Sequence, residues 1–226
     1  TLTCSEFDLV CFPLVQIIIR FSPIGVLGLI TKVVYTSGLE IFINLAKYMG
    51  TIALGLSIHL FIVLPLIIII FIKANPLDHF KAMLSALLTA FSTSSSNATL
   101  PVTMKCVREN VKASNQVTSF VLPMGATINM DGTALYECAG VLFISQVLGV
   151  DLNFNQQLIV VFTALLASIG AAGIPSAGLV MIFIVTSAVG LNTPEVGVII
   201  GAMLAIDRPL DMLRTMVNVS SDSVGA

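Results

Sequence analysis

The segment ATINMDGTALYE, residues 126–137, places Asn129, Asp131 and Glu137 inside a long apolar run. Acidic and amide side chains are rare in membrane-buried helices, and they usually face the protein interior or a water-filled path. Gly132 follows Asp131 directly, and glycine allows a helix to unwind beside that carboxylate. The segment therefore predicts a broken helix that carries a polar site at membrane depth.

The composition of the 226-residue chain favours a polytopic membrane protein. Hydrophobic residues make up 57% and charged residues only 10% of the chain, which is too apolar for a soluble globular domain. Continuous apolar runs cover residues 11–37, 41–72, 115–149 and 196–217, and interrupted runs cover 82–104 and 158–189. The start lacks a methionine and a basic signal region, so we expect the chain to be part of a longer protein. The apolar composition predicts that this protein crosses a plasma membrane or a bacterial inner membrane several times. Basic patches that would bind nucleic acid are absent from the sequence.

The positions of the basic residues predict a re-entrant hairpin. Lys73 and Lys81 flank one loop, and three further basic residues lie within 105–112. Cytoplasmic loops carry an excess of Lys and Arg, so both loops should lie on the same side of the membrane. The apolar run between them must then enter the membrane and return, and the hydroxyl-rich stretch 92–99 has the composition of its tip.

The run 158–189 predicts a second hairpin that enters from the opposite side. Its middle, SIGAAGIPSAG at 168–178, is too rich in glycine to continue a helix, and its flanks near Asp151 and Glu195 carry no positive charge. Two interrupted segments in corresponding halves indicate an inverted repeat with a binding site near the membrane midplane.

The last apolar segment carries a polar stripe. Its members are spaced 4, 3, 4 and 4 residues apart, which places them on one face of a helix: Asp207, Asp211, Arg214, Asn218 and Asp222. The stripe is either a functional pathway or the solvated face of a helix that leaves the membrane. Asp211 suits an α-ammonium group and Arg214 suits a side-chain carboxylate, although the two might equally form an internal salt bridge. Pro209 is expected to kink this helix.

Four side chains offer hard oxygen ligands that suit an alkali cation: Asn129, Asp131, Asn218 and Asp222. Neither His59 nor His79 is expected near them, so the sequence does not support a zinc or copper site. Glu137 is either a proton carrier, because burial favours a neutral carboxyl group, or a neutral acid bonded to a neighbouring helix.

These motifs together resemble the glutamate transporter family, the dicarboxylate/amino acid:cation symporters. The resemblance rests on TSSSNATLP (93–101), NMDGT (129–133), SIGAAGIPSAG (168–178) and DMLRTMVNVSSD (211–222). It implies an all-α integral membrane protein with an inverted-repeat core, two re-entrant hairpins, two interrupted transmembrane helices and an elevator-type motion within a homotrimer. The implied boundaries are a scaffold helix at 1–38 and a transport domain at 39–226, with helix 41–72, hairpin 77–110, interrupted helix 115–149, hairpin 153–190 and last helix 194–226.

The resemblance also assigns roles to individual residues. Implied substrate contacts are Ser96, Thr133, Ile174, Gly178, Asp211, Arg214, Thr215 and Asn218. Implied sodium ligands form a first set of Gly125, Asn129, Asn218 and Asp222, a second of Thr127, Ser168 and Ile169, and a third of Asp131 with residues outside this chain. Glu137 matches the position linked to proton and potassium coupling, and no cofactor is implied.

The sequence thus predicts a sodium-driven symporter of glutamate or aspartate and not an enzyme. Carriers of the same fold for C4-dicarboxylates or neutral amino acids are alternatives, and the presence of Arg214 argues against a neutral substrate. A more distant alternative is an intramembrane aspartyl protease that uses two helix-borne acids. Arg208 and Asn97 depart from the family pattern, and the sequence assigns them no role.

Overall fold

The computed structural model describes residues 40–226 and the isolated positions 24, 27, 28, 31, 34 and 35. All regular elements in this part of the chain are helical, which confirms the predicted all-α class. The predicted scaffold helix 1–38 lies outside the described residues except for those six positions, which are helical. Within the described part, one helix, Phe42–Ile72, is long and apolar enough to cross a membrane.

This first long helix packs through one narrow stripe. Helix α1 (Glu40–Ile58) continues through a π-helical turn (His59–Val63), the short α2 (Leu64–Ile67) and a second π-helical turn (Ile68–Ile72). Its buried side chains recur mostly every fourth residue: Leu45, Tyr48, Ile52, Leu56, Leu60, Leu64 and Ile68. In a regular α-helix such a stripe would drift by about 40° per step. The wider π-helical turns reduce this drift and keep the stripe on the packed face.

Two pairs of helices are joined by short irregular tips. Helices α3 (Pro76–Thr93) and α4 (Ser96–Cys106) pack together and are connected by the first tip, residues 94–95; a π-helical turn (Val107–Val111) extends α4. Ser94 adopts a left-handed conformation (φ 53°), and the Ser95 hydroxyl accepts from the Ala98 N–H to cap α4. Helices α7 (Phe154–Gly170) and α8 (Ala177–Ala188) are connected by the second tip, residues 171–176. Re-entry of these pairs into the membrane stays a prediction.

The helix around Asp131 is broken. Helices α5 (Asn115–Ile128) and α6 (Asp131–Val147) are separated by Asn129 and Met130, whose ψ angles of 80° and 57° are not helical. The break brings the close-packed Gly132 against the last helix, where an added Cβ would lie 2.9 Å from the backbone oxygen of Arg214. The two helical halves therefore meet within the polar segment 126–137.

The last helix, α9 (Pro194–Gly225), is continuous although Pro209 lies inside it. The expectation of two interrupted transmembrane helices is therefore wrong for this chain. A single proline removes one backbone donor but still adopts helical φ, and neighbouring groups can compensate for it at membrane depth. Side chains of α9 already reach the irregular segments of other helices, so its own backbone need not unwind to do so.

Helix α9 lies between two apolar clusters. The larger cluster joins α1, α6, α7, α8 and α9, with Tyr136 and Met203 among its fully buried side chains. The smaller cluster joins α3, α4, α5 and α9 around Met83 and Leu122. Val217 belongs to the first cluster and Val219 to the second, so the polar stripe of α9 passes between both helix pairs and the broken helix.

Candidate functional site

The two tips meet each other. The hydroxyl group of Ser95 in the first tip donates a hydrogen bond to the backbone oxygen of Gly173 in the second tip at 2.6 Å. The Asn97 N–H donates to the same oxygen at 3.4 Å. Gly173 also lies against the end of α5, where an added Cβ would be 3.0 Å from the Ala126 backbone oxygen. The first tip and the broken helix thus both contact Gly173 of the second tip.

A buried acid–base pair lies beneath the second tip. Asp211 and Arg214 are each only 2% exposed, and an Arg214 guanidinium N–H donates to Asp211 Oδ1. The Ser176 N–H donates to Asp211 Oδ2 at 2.8 Å, while the Arg214 guanidinium lies 4.3 Å from the ring centre of Tyr136. Asp211 and Arg214 therefore form the internal pair that the sequence left as one possibility.

Arg214 retains an unused donor. Its Nη1 atom is buried and has no hydrogen-bond partner among the described residues. This atom faces Gly178, where an added Cβ would lie 2.8 Å away, and Thr133 adjoins the same position. A buried guanidinium with a free N–H strongly favours a carboxylate or another anionic acceptor.

All eight residues implied as substrate contacts line a single cavity of about 20 Å³: Ser96, Thr133, Ile174, Gly178, Asp211, Arg214, Thr215 and Asn218. They come from α4, α6, the second tip, α8 and α9. The cavity volume corresponds to about one water molecule. The cavity as it stands is therefore too small to hold a molecule much larger than water.

The first predicted sodium set is also assembled. Asn129 Nδ2 donates to Asp222 Oδ1 at 2.9 Å, and an added Cβ on Gly125 would lie 2.5 Å from the same oxygen. Asn218 Oδ1 accepts from the Gly132 N–H at 2.8 Å. The four residues therefore connect the break in the helix to α9, with oxygen atoms of the type that an alkali cation prefers.

Asp131 of the third predicted set has an unexpected partner. His59 Nε2 lies 2.6 Å from Asp131 Oδ2, although 72 residues separate them in sequence. The expectation that neither histidine lies near the oxygen ligands is therefore wrong for His59, because packing of the first long helix against the break brings them together. His79 instead contacts the Ser223 hydroxyl group at 3.0 Å. No group of three or more His, Cys, Asp or Glu side chains suited to a metal occurs in the part of the chain that the structure describes.

The second predicted sodium set is not linked by hydrogen bonds. The Thr127 hydroxyl donates to the Met124 backbone oxygen and the Ser168 hydroxyl to that of Leu165, both at 2.9 Å within their own helices. Ile169 is 43% exposed. The helices that carry Thr127 and Ser168 pack against each other, but these side chains do not form a joined cluster.

Several residues of the site were not predicted from the sequence. The Tyr136 hydroxyl donates to Asp207 Oδ1 at 2.8 Å, and both residues are fully buried. Ser221 donates to Asp131 Oδ1 at 2.9 Å. Ser221 lies inside one of the four motifs and Asp207 inside the polar stripe, so the sequence marked both positions. Their hydrogen-bond partners depend on how the helices pack and could not be predicted from spacing.

Glu137 lies in α6 near this centre. It is fully buried, and neither carboxyl oxygen has a hydrogen-bond partner among the described residues. Glu137 therefore has no hydrogen bond to a neighbouring helix among the described residues, as one of the two sequence interpretations had required. A buried carboxyl group without a partner is costly in its charged form, which suits a proton carrier.

The broken helix, the two joined tips and the buried ionic pair form one polar site within an all-helical protein of membrane-like composition. Residues 2–226 match the model of the sodium:dicarboxylate symporter family. The chain belongs to this family.

The comparison with curated proteins finds close relatives. The chain is 51% identical over 213 residues to excitatory amino acid transporter 3 of Mus musculus and 50% identical to that of Homo sapiens, in each case over 94% of this chain and 40% of the relative. It is 50% identical over 215 residues to excitatory amino acid transporter 1 of Ambystoma tigrinum, over 94% of this chain and 39% of the relative. The chain thus spans about two fifths of the length of these relatives.

Family membership confirms several sequence predictions. The family that the chain matches is one of symporters and its relatives are named as transporters, not enzymes, so the aspartyl protease alternative has no support. Sodium is the coupling ion of the family and no cofactor is needed. The predicted location in a multi-pass cell-membrane protein is likewise confirmed.

Proposed function

We propose that the whole protein to which this chain belongs is a sodium-driven symporter of acidic amino acids. The observation that carries this proposal is the buried Arg214 guanidinium, whose free Nη1 atom faces the small cavity beside Gly178. A fixed fork of donors at this place would bind the side-chain carboxylate of glutamate or aspartate. Relatives named as excitatory amino acid transporters support the same substrate class.

Asp211 would receive the α-ammonium group of the substrate. Its carboxylate already accepts hydrogen bonds from Arg214 and from the Ser176 N–H of the second tip. Lifting this tip would free Oδ2 for the ammonium group, and rejoining it would bury the substrate. Because the Ser176 N–H of the second tip occupies Asp211 Oδ2, we infer that the second tip is the part that opens.

Sodium would favour the closed arrangement by binding where the broken helix meets α9. Gly125, Asn129 and Asp222 crowd together there, and Asn218 joins this group to Thr133 at the substrate cavity through a 3.0 Å hydrogen bond. Cations that order this junction would also order the substrate contacts. Such coupling requires that sodium and substrate raise each other's affinity by the same factor.

The remaining features of the proposal concern the whole molecule. The helix pairs α3–α4 and α7–α8 would be re-entrant hairpins that enter from opposite faces, which is supported by the contact between their tips. Residues 39–226 would form a transport domain that moves as an elevator within a homotrimer, with residues 1–38 in the scaffold. Glu137 would carry a proton and take part in potassium counter-transport.

The test is uptake of radiolabelled aspartate by the full-length protein in proteoliposomes, with and without an inward sodium gradient. We expect sodium-dependent uptake in the wild type and a loss of about 100-fold or more in Arg214→Ala, because a buried charged contact contributes about 2–5 kcal/mol. Arg214→Lys retains the charge without the two-pronged fork and should be intermediate. Arg208→Ala is the matched control, since Arg208 is an exposed arginine on the same helix.

The alternative substrate class has its own support, because the family description names dicarboxylates. A C4-dicarboxylate would use Arg214 but would leave Asp211 without a cationic partner from the substrate. Sodium-driven uptake of succinate that exceeds uptake of aspartate would favour this alternative. Uptake of alanine or serine by the wild type at the rate of aspartate would contradict the role of Arg214.

A further inference from the structure

Asn97 lies at the start of α4, beside the contact between the two tips. Its backbone N–H donates to the Gly173 oxygen over a long distance of 3.4 Å. Its side chain is exposed, and the side-chain amide makes no hydrogen bond to any of the described residues. The two N–H donors of this amide therefore remain available while the tips are joined.

The backbone oxygen of Ala126 is an unused acceptor. In an uninterrupted helix the N–H four residues later, that of Met130, would donate to it. The break in the helix directs the Met130 N–H to the Ile128 oxygen instead, at 3.2 Å, and no other described group donates to the Ala126 oxygen. Ala126 is only 3% exposed. A buried carbonyl group without a donor is unfavourable, so this oxygen favours any donor that can reach it.

Gly173 of the second tip separates this donor from this acceptor. An added Cβ on Gly173 would lie 3.0 Å from Asn97 Nδ2 and also 3.0 Å from the Ala126 oxygen. The two atoms are therefore at most about 6 Å apart, because each lies 3.0 Å from that same point. With the tips joined, the Gly173 Cα–H group fills the space between them. A glycine has no side chain at this point, so withdrawal of its backbone alone clears the space.

We propose that Asn97 stabilises the open position of the second tip, because Nδ2 donates to the Ala126 backbone oxygen once Gly173 has left. This inference rests on the proposed function, since it assumes that the second tip opens. Opening removes the Gly173 oxygen as the acceptor for the Ser95 hydroxyl and the Asn97 N–H. The new hydrogen bond offsets part of this loss, and it must break before the tip can close again.

The direction of the effect distinguishes this role from simple packing. If the Asn97 side chain only held Gly173 in place, its removal would open the second tip more often. If the side chain stabilises the open position, its removal makes the closed position relatively more favourable. One ordinary hydrogen bond corresponds to about a fivefold change in this equilibrium.

The experiment measures hydrogen–deuterium exchange of the full-length protein in choline chloride, without sodium or aspartate. Exchange of residues 171–177 reports how often the second tip opens, because local opening exposes its amides to water. We expect these residues to exchange about fivefold more slowly in Asn97→Ala than in the wild type. Asn97→Asp has nearly the same shape, but a carboxylate cannot donate a hydrogen bond, so it should exchange as slowly as Asn97→Ala.

Asn155→Ala provides the matched control. Asn155 is exposed in α7, and its side chain makes no hydrogen bond among the described residues, so exchange of residues 171–177 should not change. Unchanged or faster exchange in Asn97→Ala would overturn the inference. Slow exchange in Asn97→Ala together with wild-type exchange in Asn97→Asp would also overturn it, because the effect would then depend on volume and not on the donor.

Failure of the proposed function would give a different result. If residues 171–177 of the wild type exchange as slowly as the buried residues of α6, the second tip does not open and the proposed route to the cavity is wrong. If they exchange readily and Asn97→Ala does not slow them, the tip opens without help from Asn97. Aspartate uptake is not needed for either conclusion, so sodium coupling is tested separately.

Discussion

The Ser176 N–H donates a hydrogen bond to Asp211 Oδ2 at 2.8 Å, which fastens the second tip to the last helix. The other oxygen of the same carboxylate accepts from Arg214. One buried side chain therefore holds both the movable tip and the guanidinium that would recognise the substrate. A change at Asp211 should affect the closure of the tip even when no substrate is present.

Asp211→Asn is expected to release the second tip. The amide oxygen is a weaker acceptor than a carboxylate, and the amide NH₂ group cannot accept from Arg214. Hydrogen bonds to charged groups contribute about 1.5–3 kcal/mol, so the Ser176 amide should exchange its hydrogen about 10-fold to 100-fold faster. Hydrogen–deuterium exchange of residues 171–177 measures this. Asp207→Asn, whose partner is Tyr136, should leave this segment unchanged, and an equal effect in both variants would contradict the assignment.

Gly178→Ala should weaken the binding of acidic substrates. The added Cβ would lie 2.8 Å from Arg214 Nη1 and 3.0 Å from Thr133 Cγ2, so the guanidinium must move away from the cavity. We expect the concentration of aspartate for half-maximal uptake to rise about 10-fold or more, because a displaced guanidinium loses a charge-assisted hydrogen bond. Gly197→Ala is the control, since a Cβ at Gly197 in α9 meets no atom within 4 Å. Equal affinities in the two variants would show that Arg214 does not face the substrate.

Gly125→Ala should act on sodium rather than on the substrate contacts. A Cβ at this position would lie 2.5 Å from Asp222 Oδ1 and 2.8 Å from its carboxyl carbon, both too close for any real side chain. Asp222 must then turn away from Asn129, so the sodium concentration for half-maximal uptake should rise strongly. Gly50→Ala in α1 meets no atom within 4 Å and serves as the control. A normal sodium requirement in Gly125→Ala would exclude Asp222 from the sodium site.

The sequence predicted the class of fold because its strongest signals are local. Three signals depend on neighbouring residues only: the length of the apolar runs, the excess of basic residues in two loops and the glycine-rich segment 168–178. The polar stripe of α9 was visible for the same reason, since helical periodicity alone places Asp211 and Arg214 on one face. The stripe located Asp211, Arg214 and Asn218 of the cavity lining, whereas the remaining implied contacts came only from the resemblance to the glutamate transporter family.

Contacts between distant segments could not be read in this way. His59 approaches Asp131 because the first long helix packs against α6, which begins at Asp131. Residue type and spacing carried no information about this partner. The expected kink at Pro209 stays a prediction, although α9 is helical on both sides of it.

Glu137→Gln should remove the pH dependence of transport if Glu137 carries the coupled proton. Its carboxyl group is fully buried in α6 without a hydrogen-bond partner in the described structure, and it interacts electrostatically with Arg214. Glutamine has nearly the same shape but cannot gain or release a proton, so substrate exchange should persist while its response to external pH disappears. Aspartate exchange in proteoliposomes, measured across the pH range in which the wild type responds, provides the readout. Glu195→Gln, at the exposed start of α9, should retain the wild-type profile, whereas a pH response that survives in Glu137→Gln would place the proton on another group.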